Sequence, residues 1–544
     1  MSALPHPATL ANLIQQAAKR YGDTEAIIAA DGRMSYAQID RDSNMVARAL
    51  AAAGIAKDDH VGICAGNTGQ WATLFYGIAK AGAVCVPINT RLKPAEIRYQ
   101  LDQAKVKLLF LADRLLSIDF IGLFEDVARG MTGGYPQPDL PNLLEVILLG
   151  EGRHPHCRAI TEFLACGADE NSMPVPPGED DIALIQYTSG TTSLPKGAML
   201  THQAMVRNAA AVAGRMGLAR DDRYLSARPF FHVAGTTLSI AASAAVGATL
   251  VTMLRFTAED AVALMETEAC THFSGNDTMF LMLLERDGAR QKSHLRGGWA
   301  AASPPVIERA VSELGARDLV VAYGLSEASP NVAMSDRNDA ITDRIAGWMH
   351  PHAGLEVRIG DPRTGRNLPA GQRGEIQVRG WTVMRGYFDK PEETATALGE
   401  DGFLRTGDVG VMAEDGRIRF LGRLKEIIRV GGENVSPGEI EDVLLTHPAI
   451  AQAQVVGMPD PRLIEVPVAY VVPKRGVALQ ADQLLAWART QMAGYKVPRH
   501  IAIIDSFEPL GLTASGKVQK ARLKGDAAER FGPTDNWRAG SRQA

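Results

Sequence analysis

The sequence predicts an α/β protein with two parts: a large N-terminal domain of layered sheets, and a small, mobile α+β C-terminal domain. The chain of 544 residues is longer than one hydrophobic core usually supports. Strand and helix patterns alternate at residues 60–64, 71–81 and 83–87, which favours parallel strands joined by crossover helices. The length and the alternation therefore predict an α/β protein of more than one domain.

The other elements of the large domain follow from the same periodicities. Short apolar runs predict strands at 26–29 and 182–185. The glycine- and proline-rich segment 130–145 predicts a surface connection. The run 240–246 is too short to cross a bilayer and predicts a buried helix. Apolar residues at helical spacing predict helices at 9–21, 43–53 and 201–212, with His202 as a capping or packing residue.

The small domain has strand and helix patterns of its own. Two strands are predicted at 451–456 and 466–472, with one helix after Glu439 and another at 481–491. Since these patterns need no partner from the first part of the chain, we expect an independent unit.

Composition excludes several classes of protein. With 46% hydrophobic and 22% charged residues the chain is typical of soluble globular proteins, and its net charge of -5 disfavours nucleic acid as a partner. Five scattered cysteines without a C-x-x-C spacing predict core thiols in a reducing compartment, not a metal site or a disulfide framework. No transmembrane segment or secretory signal is recognisable, so we expect a cytoplasmic protein.

Residues 187–197, YTSGTTSLPKG, follow the predicted strand at 182–185 and form a run of hydroxyl and glycine residues closed by Lys196. Hydroxyl groups, backbone N–H groups and an ammonium group can surround phosphate oxygens. Five residues separate Gly190 from Lys196, and the lysine is followed by Gly197 instead of a serine or threonine, which excludes the commonest phosphate-binding loop. A flexible surface loop remains the alternative on composition alone.

Three further motifs each allow a structural and a functional interpretation. His232 follows two aromatic residues and could be an ordinary core histidine. The segment 320–327 is a strand ending in a polar turn, in which Glu327 could simply be the acid of a helix N-terminus. Asp408 could cap its own turn or accept hydrogen bonds from two vicinal hydroxyls.

Together, and in this order from Lys80 to Lys517, the motifs resemble those of the adenylate-forming enzymes, in particular their acyl-CoA synthetase branch. The resemblance implies an ATP-dependent carboxylate–CoA ligase. Acid and ATP would give an acyl-adenylate and pyrophosphate, and coenzyme A would then give acyl-CoA and AMP. It also implies Mg²⁺ as the cofactor.

The resemblance further implies the residues that bind the nucleotide. The β- and γ-phosphates would be bound by Thr188, Ser189, Gly190, Thr191, Thr192 and Lys196. AMP would be bound by Ala302, Tyr323, Gly324, Ser326, Asp408 and Arg423, with Tyr323 on adenine, Ser326 at the α-phosphate and Asp408 at the ribose. Glu327 and Thr188 would hold Mg²⁺.

The same resemblance implies the catalytic residues as Lys517, His232 and Glu327. Lys517 would bridge the acid and the α-phosphate, and His232 would orient the acid. The acyl pocket would contain Phe231, Val233, Gly235 and Asn276, whose apolar members suit a fatty or aryl acid. Lys425 would be the hinge of a domain rotation, between a large domain at residues 1–424 and a small, mobile domain at 425–544. Gly431 and Gly432 would line the coenzyme A side.

The sequence departs from the family pattern at four places. Ser326 replaces a threonine, Ser193 replaces a loop glycine, the turn at 301–303 lacks the usual glycines, and 510–512 lacks a proline. Ser193 and the turn at 301–303 keep open a catalytically silent nucleotide-binding sensor. Within the family, the alternatives are an adenylating enzyme that serves a carrier protein and a luciferase-like enzyme that passes the acyl group to oxygen. A kinase is disfavoured because its phosphate-loop pattern is absent, and a homodimer is possible.

Overall fold

The computed structural model describes residues 8–127, 135–167, 173–188, 194–286, 288–431, 433–512 and 518–532. Its architecture is mixed α/β with a large N-terminal and a small C-terminal part, which confirms the predicted fold class.

The largest sheet has nine strands, six of which are neighbours in parallel. Because the carboxyl ends of parallel strands meet at one edge, the residues that follow these strands lie near each other. In spatial order the strands are His350–Pro351, Asn331–Met334, Asp318–Gly324, Gly297–Ala301, His272–Asn276, Arg223–Ser226, Thr249–Val251, Glu25–Ala29 and Gly32–Ser35.

A second sheet has seven strands, all parallel except for the antiparallel hairpin at one edge. That hairpin carries the predicted phosphate loop between its strands. In spatial order the strands are Lys196–Thr201, Ile182–Thr188, Val84–Pro87, His60–Cys64, Leu108–Ala112, Glu145–Leu149 and Arg158–Ala159.

Helices cover both sheets, and several begin at a Ser or Thr N-cap whose side chain accepts from the first turn, as Thr9, Ser35 and Thr201 do. A π-helix, Thr236–Ala241, follows the short helix Val233–Gly235. The α-helices are Leu10–Tyr21, Tyr36–Ala52, Gly69–Lys80, Pro94–Gln103, Phe120–Val127, Ile160–Ala165, His202–Met216, Ala242–Val246, Ala258–Thr267, Asp277–Leu284, Ala289–Lys292, Pro304–Glu313, Ile341–Ile345 and Pro391–Ala397.

A four-stranded antiparallel sheet follows, formed by Leu355–Gly360, Arg373–Gly380, Leu404–Met412 and Ile418–Arg423. A two-stranded ribbon, Arg114–Leu115 with Ile118–Asp119, lies earlier in the chain.

The C-terminal part has its own sheet and two cores. Its strands are Ile428–Val430, Glu433–Val435, Ile450–Asp460, Ile464–Pro473 and His500–Ile503. Its helices are Pro437–Leu445, Ala481–Gln491 and Lys520–Phe531. The fully buried residues of the main core end at Ile418, whereas those of the two small cores begin at Ile428.

Most predicted elements occur with shifted bounds. The helix predicted at 43–53 begins at Tyr36, because Ser35 and Gln38 form a capping box. The helix predicted after Glu439 begins at Pro437. The run at 240–246 is buried at its start, as expected, but is divided between the π-helix and Ala242–Val246. Part of the connection at 130–145 lies outside the described residues.

The cysteine prediction was partly wrong. Cys64, Cys85 and Cys270 are buried thiols, but Cys157 is half-buried and Cys166 is exposed, because the short helix Ile160–Ala165 ends at the surface. His202 is buried as a packing residue, with Nδ1 accepting from the backbone N–H of Leu10. In the described part of the chain, no helix combines the length and apolar character needed to cross a membrane.

Candidate active site

Asp408 joins two side chains that were predicted to bind AMP. Its Oδ2 accepts from the Tyr323 hydroxyl at 2.9 Å, and its Oδ1 lies 3.0 Å from Nε of Arg423. Asp408 and Arg423 are opposite each other on adjacent antiparallel strands, and Asp408 is 1% exposed. Burial, and then the negative charge of Asp408, raise the pKa of Tyr323, so its hydroxyl stays protonated as a donor.

Phe420 is a member of this group that the sequence interpretation missed. Its ring stacks on Tyr323 at 5.5 Å between centroids and 23° between planes, although 42% of Phe420 is exposed. The signal available in the sequence was an aromatic residue two positions before Gly422, in the segment that leads to Arg423. Phe420 covers one face of the ring that was predicted to stack on adenine.

A second group of side chains lies at the hairpin of the seven-stranded sheet. Thr188 and Lys196 end the two hairpin strands opposite each other, and the Thr188 hydroxyl donates to the Lys196 carbonyl at 3.4 Å. The Lys196 ammonium group is 4.7 Å from the centre of the Tyr387 ring, a cation–π contact. Ser189, Gly190, Thr191 and Thr192 lie outside the described residues.

Tyr387 connects this group to Glu327. Its hydroxyl donates to Oε1 of Glu327 at 2.9 Å, and the backbone N–H of Met384 donates to the Glu327 carbonyl at 2.8 Å. Burial, and then the charge of Glu327, raise the pKa of Tyr387. Tyr387 belongs to none of the motifs singled out in the sequence, so its contacts with Glu327 and Lys196 were not predicted.

One turn links the two groups. Tyr323 and Gly324 end a strand of the nine-stranded sheet, and a 3₁₀ turn, Ser326–Ala328, follows directly. A Cβ atom at position 324 would lie 1.9 Å from the Pro330 carbonyl oxygen, so only glycine fits there. The turn therefore places Tyr323, Ser326 and Glu327 along one edge of the sheet.

The residues predicted for the acyl pocket lie at neighbouring strand ends. Nδ1 of His232 accepts from the backbone N–H of Ala234 at 3.1 Å, and Oδ1 of Asn276 accepts from that of Met279 at 3.0 Å. Both side chains therefore cap helices, His232 that of Val233–Gly235 and Asn276 that of Asp277–Leu284. Asn276 also pairs in register with Ala301, the residue before Ala302.

The chain around His232 is tightly packed. Phe231 and Val233 are buried, and the Gln186 amide donates to the Phe231 carbonyl at 3.2 Å. A Cβ atom on Gly235 would lie 2.2 Å from the Pro229 carbonyl oxygen, which explains the glycine at this position.

The predicted hinge and loops connect the main core to the small cores. Lys425 is exposed in a 3₁₀ turn, Leu424–Glu426, and Gly431 has a φ of 59°, which favours glycine. Gly432 and Lys517 lie outside the described residues. Val518, which follows Lys517, lines a small cavity together with Ser303 and Asp277 of the large part.

The available oxygen ligands fit Mg²⁺. The Glu327 carboxylate and the Thr188 hydroxyl are hard donors, and the Tyr387 hydrogen bond involves only one Glu327 oxygen. Within the described ranges, no cluster of three His, Cys, Asp or Glu residues could hold a metal ion. This pattern suits a cation that takes most of its remaining ligands from substrate phosphates and water.

Comparisons with known proteins agree with this geometry. The family model described as AMP-binding enzyme matches residues 14–388, and the one described as AMP-binding enzyme C-terminal domain matches 439–517. The chain therefore belongs to the AMP-binding, adenylate-forming enzymes. Within this family it is an acyl-CoA synthetase, an AMP-forming ligase of carboxylic acids and CoA whose substrates include ATP.

Three relatives support this placement over nearly the whole chain. A putative acyl-CoA synthetase YngI of Bacillus subtilis is 35% identical, covering 98% of this chain and 99% of the relative. A feruloyl-CoA synthase of an Amycolatopsis species is 33% identical, covering 92% and 94%. The crystal structure of the anthranilate CoA ligase AuaEII with anthranoyl-AMP has a TM-score of 0.85 at 25% identity, covering 96% and 98%.

Proposed function

We propose that this synthetase activates its acid along the edge of the nine-stranded sheet where the two groups of side chains meet. One observation carries the proposal. A single turn has Tyr323 beside Asp408 at one end and Glu327 toward Lys196 at the other. A nucleotide bound along this edge would have its ribose at Asp408 and Arg423 and its terminal phosphates toward Lys196. Ala302, Gly324 and Ser326 would contact the AMP portion.

The first half-reaction makes the acid reactive. A carboxylate resists nucleophilic attack, and transfer of AMP to it creates a mixed anhydride with a good leaving group. Negative charge develops on the departing pyrophosphate, where Lys196 and the hydroxyl and N–H groups of residues 188–192 would stabilise it. When bound at Glu327 and Thr188, Mg²⁺ would supply further neutralisation of phosphate charge.

Two residues would align the reacting groups. His232 would orient the acid. The Lys517 ammonium group would lie between the acid and the α-phosphate, where it would neutralise the negative charge of both groups. The position of Ser303 and Val518 on one cavity supports an approach of the Lys517 loop toward this part of the large domain.

The second half-reaction requires a thiol to reach the acyl carbon. We propose that residues 425–544 form a domain that rotates about Lys425 and presents Gly431 and Gly432 to coenzyme A. The separation of the hydrophobic cores between Ile418 and Ile428 supports a hinge at this place.

The acid is proposed to be aromatic or fatty. Buried Phe231 and Val233 support an apolar substrate body. The feruloyl-CoA synthase and the anthranilate CoA ligase are relatives named for aromatic acids, which favours the aromatic class.

A two-step assay tests the proposed function. Acid-dependent ATP–pyrophosphate exchange is measured with short, medium, long and aryl carboxylates, and the active acids are then incubated with ATP and CoA. We expect exchange with one class of acid, followed by its thioester and AMP. Exchange without thioester would favour transfer to a carrier protein, and nucleotide binding without exchange would favour a silent sensor.

We also propose a cytoplasmic location and a homodimer. Five cysteines without a disulfide among them suit a reducing compartment. Symmetric dimers are the commonest assemblies of soluble enzymes, and light scattering coupled to gel filtration tests for one here.

A further inference from the structure

The Arg228 guanidinium group is buried without a protein counterion. Arg228 is 6% exposed, and its Nε and Nη2 atoms have no hydrogen-bond partner among the described residues. Burial lowers its pKa to about 10, and Tyr224 is the titratable group in those residues that acts on this pKa by its charge. Burying an unpaired charge is costly, so a partner from outside the described protein atoms is required.

The surroundings of Arg228 leave its donor edge open. The guanidinium group lies 4.8 Å from the centre of the Trp299 ring, so the ring stabilises one face of the cation. The Trp299 ring accepts no hydrogen bonds from the Arg228 N–H groups, because these groups lie in the guanidinium plane. Water molecules could accept those hydrogen bonds but would leave the positive charge without a counterion.

The buried side chains next to Tyr224 and Arg228 include hydroxyl groups that bond to one another. Ser226 Oγ lies 2.8 Å from Ser239 Oγ and accepts from Ser274 Oγ at 3.1 Å. The Trp299 indole N–H donates to the Tyr224 hydroxyl at 2.9 Å. Such a polar lining does not suit a plain hydrocarbon tail.

Strand register places this region beneath the proposed acyl pocket. Ser226, Ser274 and Trp299 are adjacent across three parallel strands. Two residues further toward the carboxyl ends lie Asn276 and Ala301, at the proposed acid site. A rise of about 3.3 Å per residue puts the Trp299 level about 6.5 Å below that site.

We propose that Arg228 determines substrate specificity by binding an oxygen acceptor at the far end of the acid, a second carboxylate above all. The inference rests on the proposed function, because it needs the acid to enter between Asn276 and Ala302. A distal carboxylate would accept from the free donor edge and neutralise the charge in one contact. The acid would then have an apolar middle and an oxygen group about 6.5 Å from its reacting carboxylate.

Matched pairs of acids test this assignment. Hexanoate is compared with adipate, and 4-methylbenzoate with 4-carboxybenzoate and 4-hydroxybenzoate, by kcat/KM for acid-dependent pyrophosphate release. We expect the wild-type enzyme to prefer the oxygenated member of at least one pair by tenfold or more. In Arg228→Met, which keeps the apolar length but removes the charge, this preference should disappear.

Two further variants guard against a trivial loss of folding. Arg228→Lys keeps the charge without the planar donor edge, so we expect a reduced preference in the same direction. Arg344→Met is the matched control, because Arg344 is also buried but donates to the Arg317 and Leu319 carbonyls. Arg344→Met should leave the preference for oxygenated acids unchanged. Thermal unfolding of every variant shows whether it is folded.

Three results would overturn the assignment. A wild-type preference for the unsubstituted acids would do so, as would an unchanged preference in Arg228→Met. Absence of pyrophosphate release with every acid would contradict the proposed function itself, and this inference with it.

Discussion

Asp408 is the residue that joins Tyr323 and Arg423, and it is the proposed ribose-binding residue. It holds Tyr323 and Arg423 at 2.9 and 3.0 Å while being almost fully buried. Both of its oxygens already have a partner, so a bound ribose would share or replace existing contacts. The affinity for nucleotide should therefore depend on this carboxylate more than on its neighbours.

We predict that Asp408→Ala raises the KM for ATP much more than the KM for the acid. The change removes the acceptor for the ribose hydroxyls and also releases Tyr323 and Arg423. Steady-state kinetics with each substrate varied in turn measures the two constants. A larger rise in the KM for the acid would remove the ribose assignment.

Tyr387 contacts both Glu327, the proposed Mg²⁺ ligand, and Lys196, the proposed phosphate-binding lysine. Tyr387→Phe keeps the ring beneath Lys196 but deletes the hydroxyl that donates to Glu327. We predict about a tenfold fall in kcat/KM for ATP, since a hydrogen bond to a charged group contributes about 1.4 kcal/mol or more. Tyr495→Phe is the control, because Tyr495 is an exposed tyrosine. Equal effects of the two changes would contradict a role for the Glu327 contact.

At the scale of the elements, the helix Pro437–Leu445 packs against Pro304–Glu313 and carries a concentration of carboxylates. Glu439 pairs with Arg373 and Lys496, and Glu441 pairs with Lys520. Among the residues that the structure describes, none forms such a salt bridge with Asp442. The charges that act on its pKa are those of Glu441, Asp277, Arg419 and Glu439.

This arrangement predicts a pH-dependent stability. Burial, and then the charges of Glu441 and Asp277, raise the pKa of Asp442 to about 7. A carboxyl group whose pKa is raised in the folded protein stabilises that protein at low pH. This stabilisation is lost by the time the pH has risen to about 7.

We therefore predict that the unfolding temperature of the wild type falls between about pH 4 and pH 7 relative to that of Asp442→Asn, and that the difference stays constant at higher pH. Differential scanning calorimetry at several pH values measures both proteins. Asp482→Asn, an exposed position on the helix Ala481–Gln491, is the control and should follow the wild type. Parallel curves for wild type and Asp442→Asn would contradict a titration of Asp442 in this range.

At the scale of the whole molecule, the fully buried residues of the hydrophobic cores lie on the two sides of residues 419–427, and Leu445 packs against both the main core and one small core. Polar contacts such as Arg373 with Glu439 also connect the parts, and these can be exchanged for water at little cost. The proposed rotation would therefore break the contact of Leu445 with the main core but would leave the fully buried residues of each part together.

The rotation predicts a separation of the half-reactions. Lys517→Ala should abolish acid-dependent ATP–pyrophosphate exchange but still convert a supplied acyl-adenylate and CoA to the thioester. Exchange and thioester formation are measured separately, with Lys524→Ala in the same domain as the control. Equal loss of both half-reactions would contradict the two-arrangement mechanism.

The sequence was most informative where function depends on local order. The alternation of strands and helices, the turn from Tyr323 to Glu327, and the Thr188 to Lys196 hairpin are segments of a few residues, so their patterns are visible directly. Helix starts were less certain, since a capping box at Ser35 moved one boundary by several residues. The exposure of Cys166 was not predictable, because burial depends on where a helix ends in the fold.

By itself, then, the sequence determined the two-part α/β class, the order of the motifs and the residue types available for catalysis. Only the tertiary structure decided which side chains meet: Tyr387 with Glu327, Phe420 with Tyr323, and Arg228 with Trp299 but with no carboxylate in the described residues. The physical reason is that these partners are far apart in the chain. Their contact depends on sheet register and packing, which no local pattern specifies.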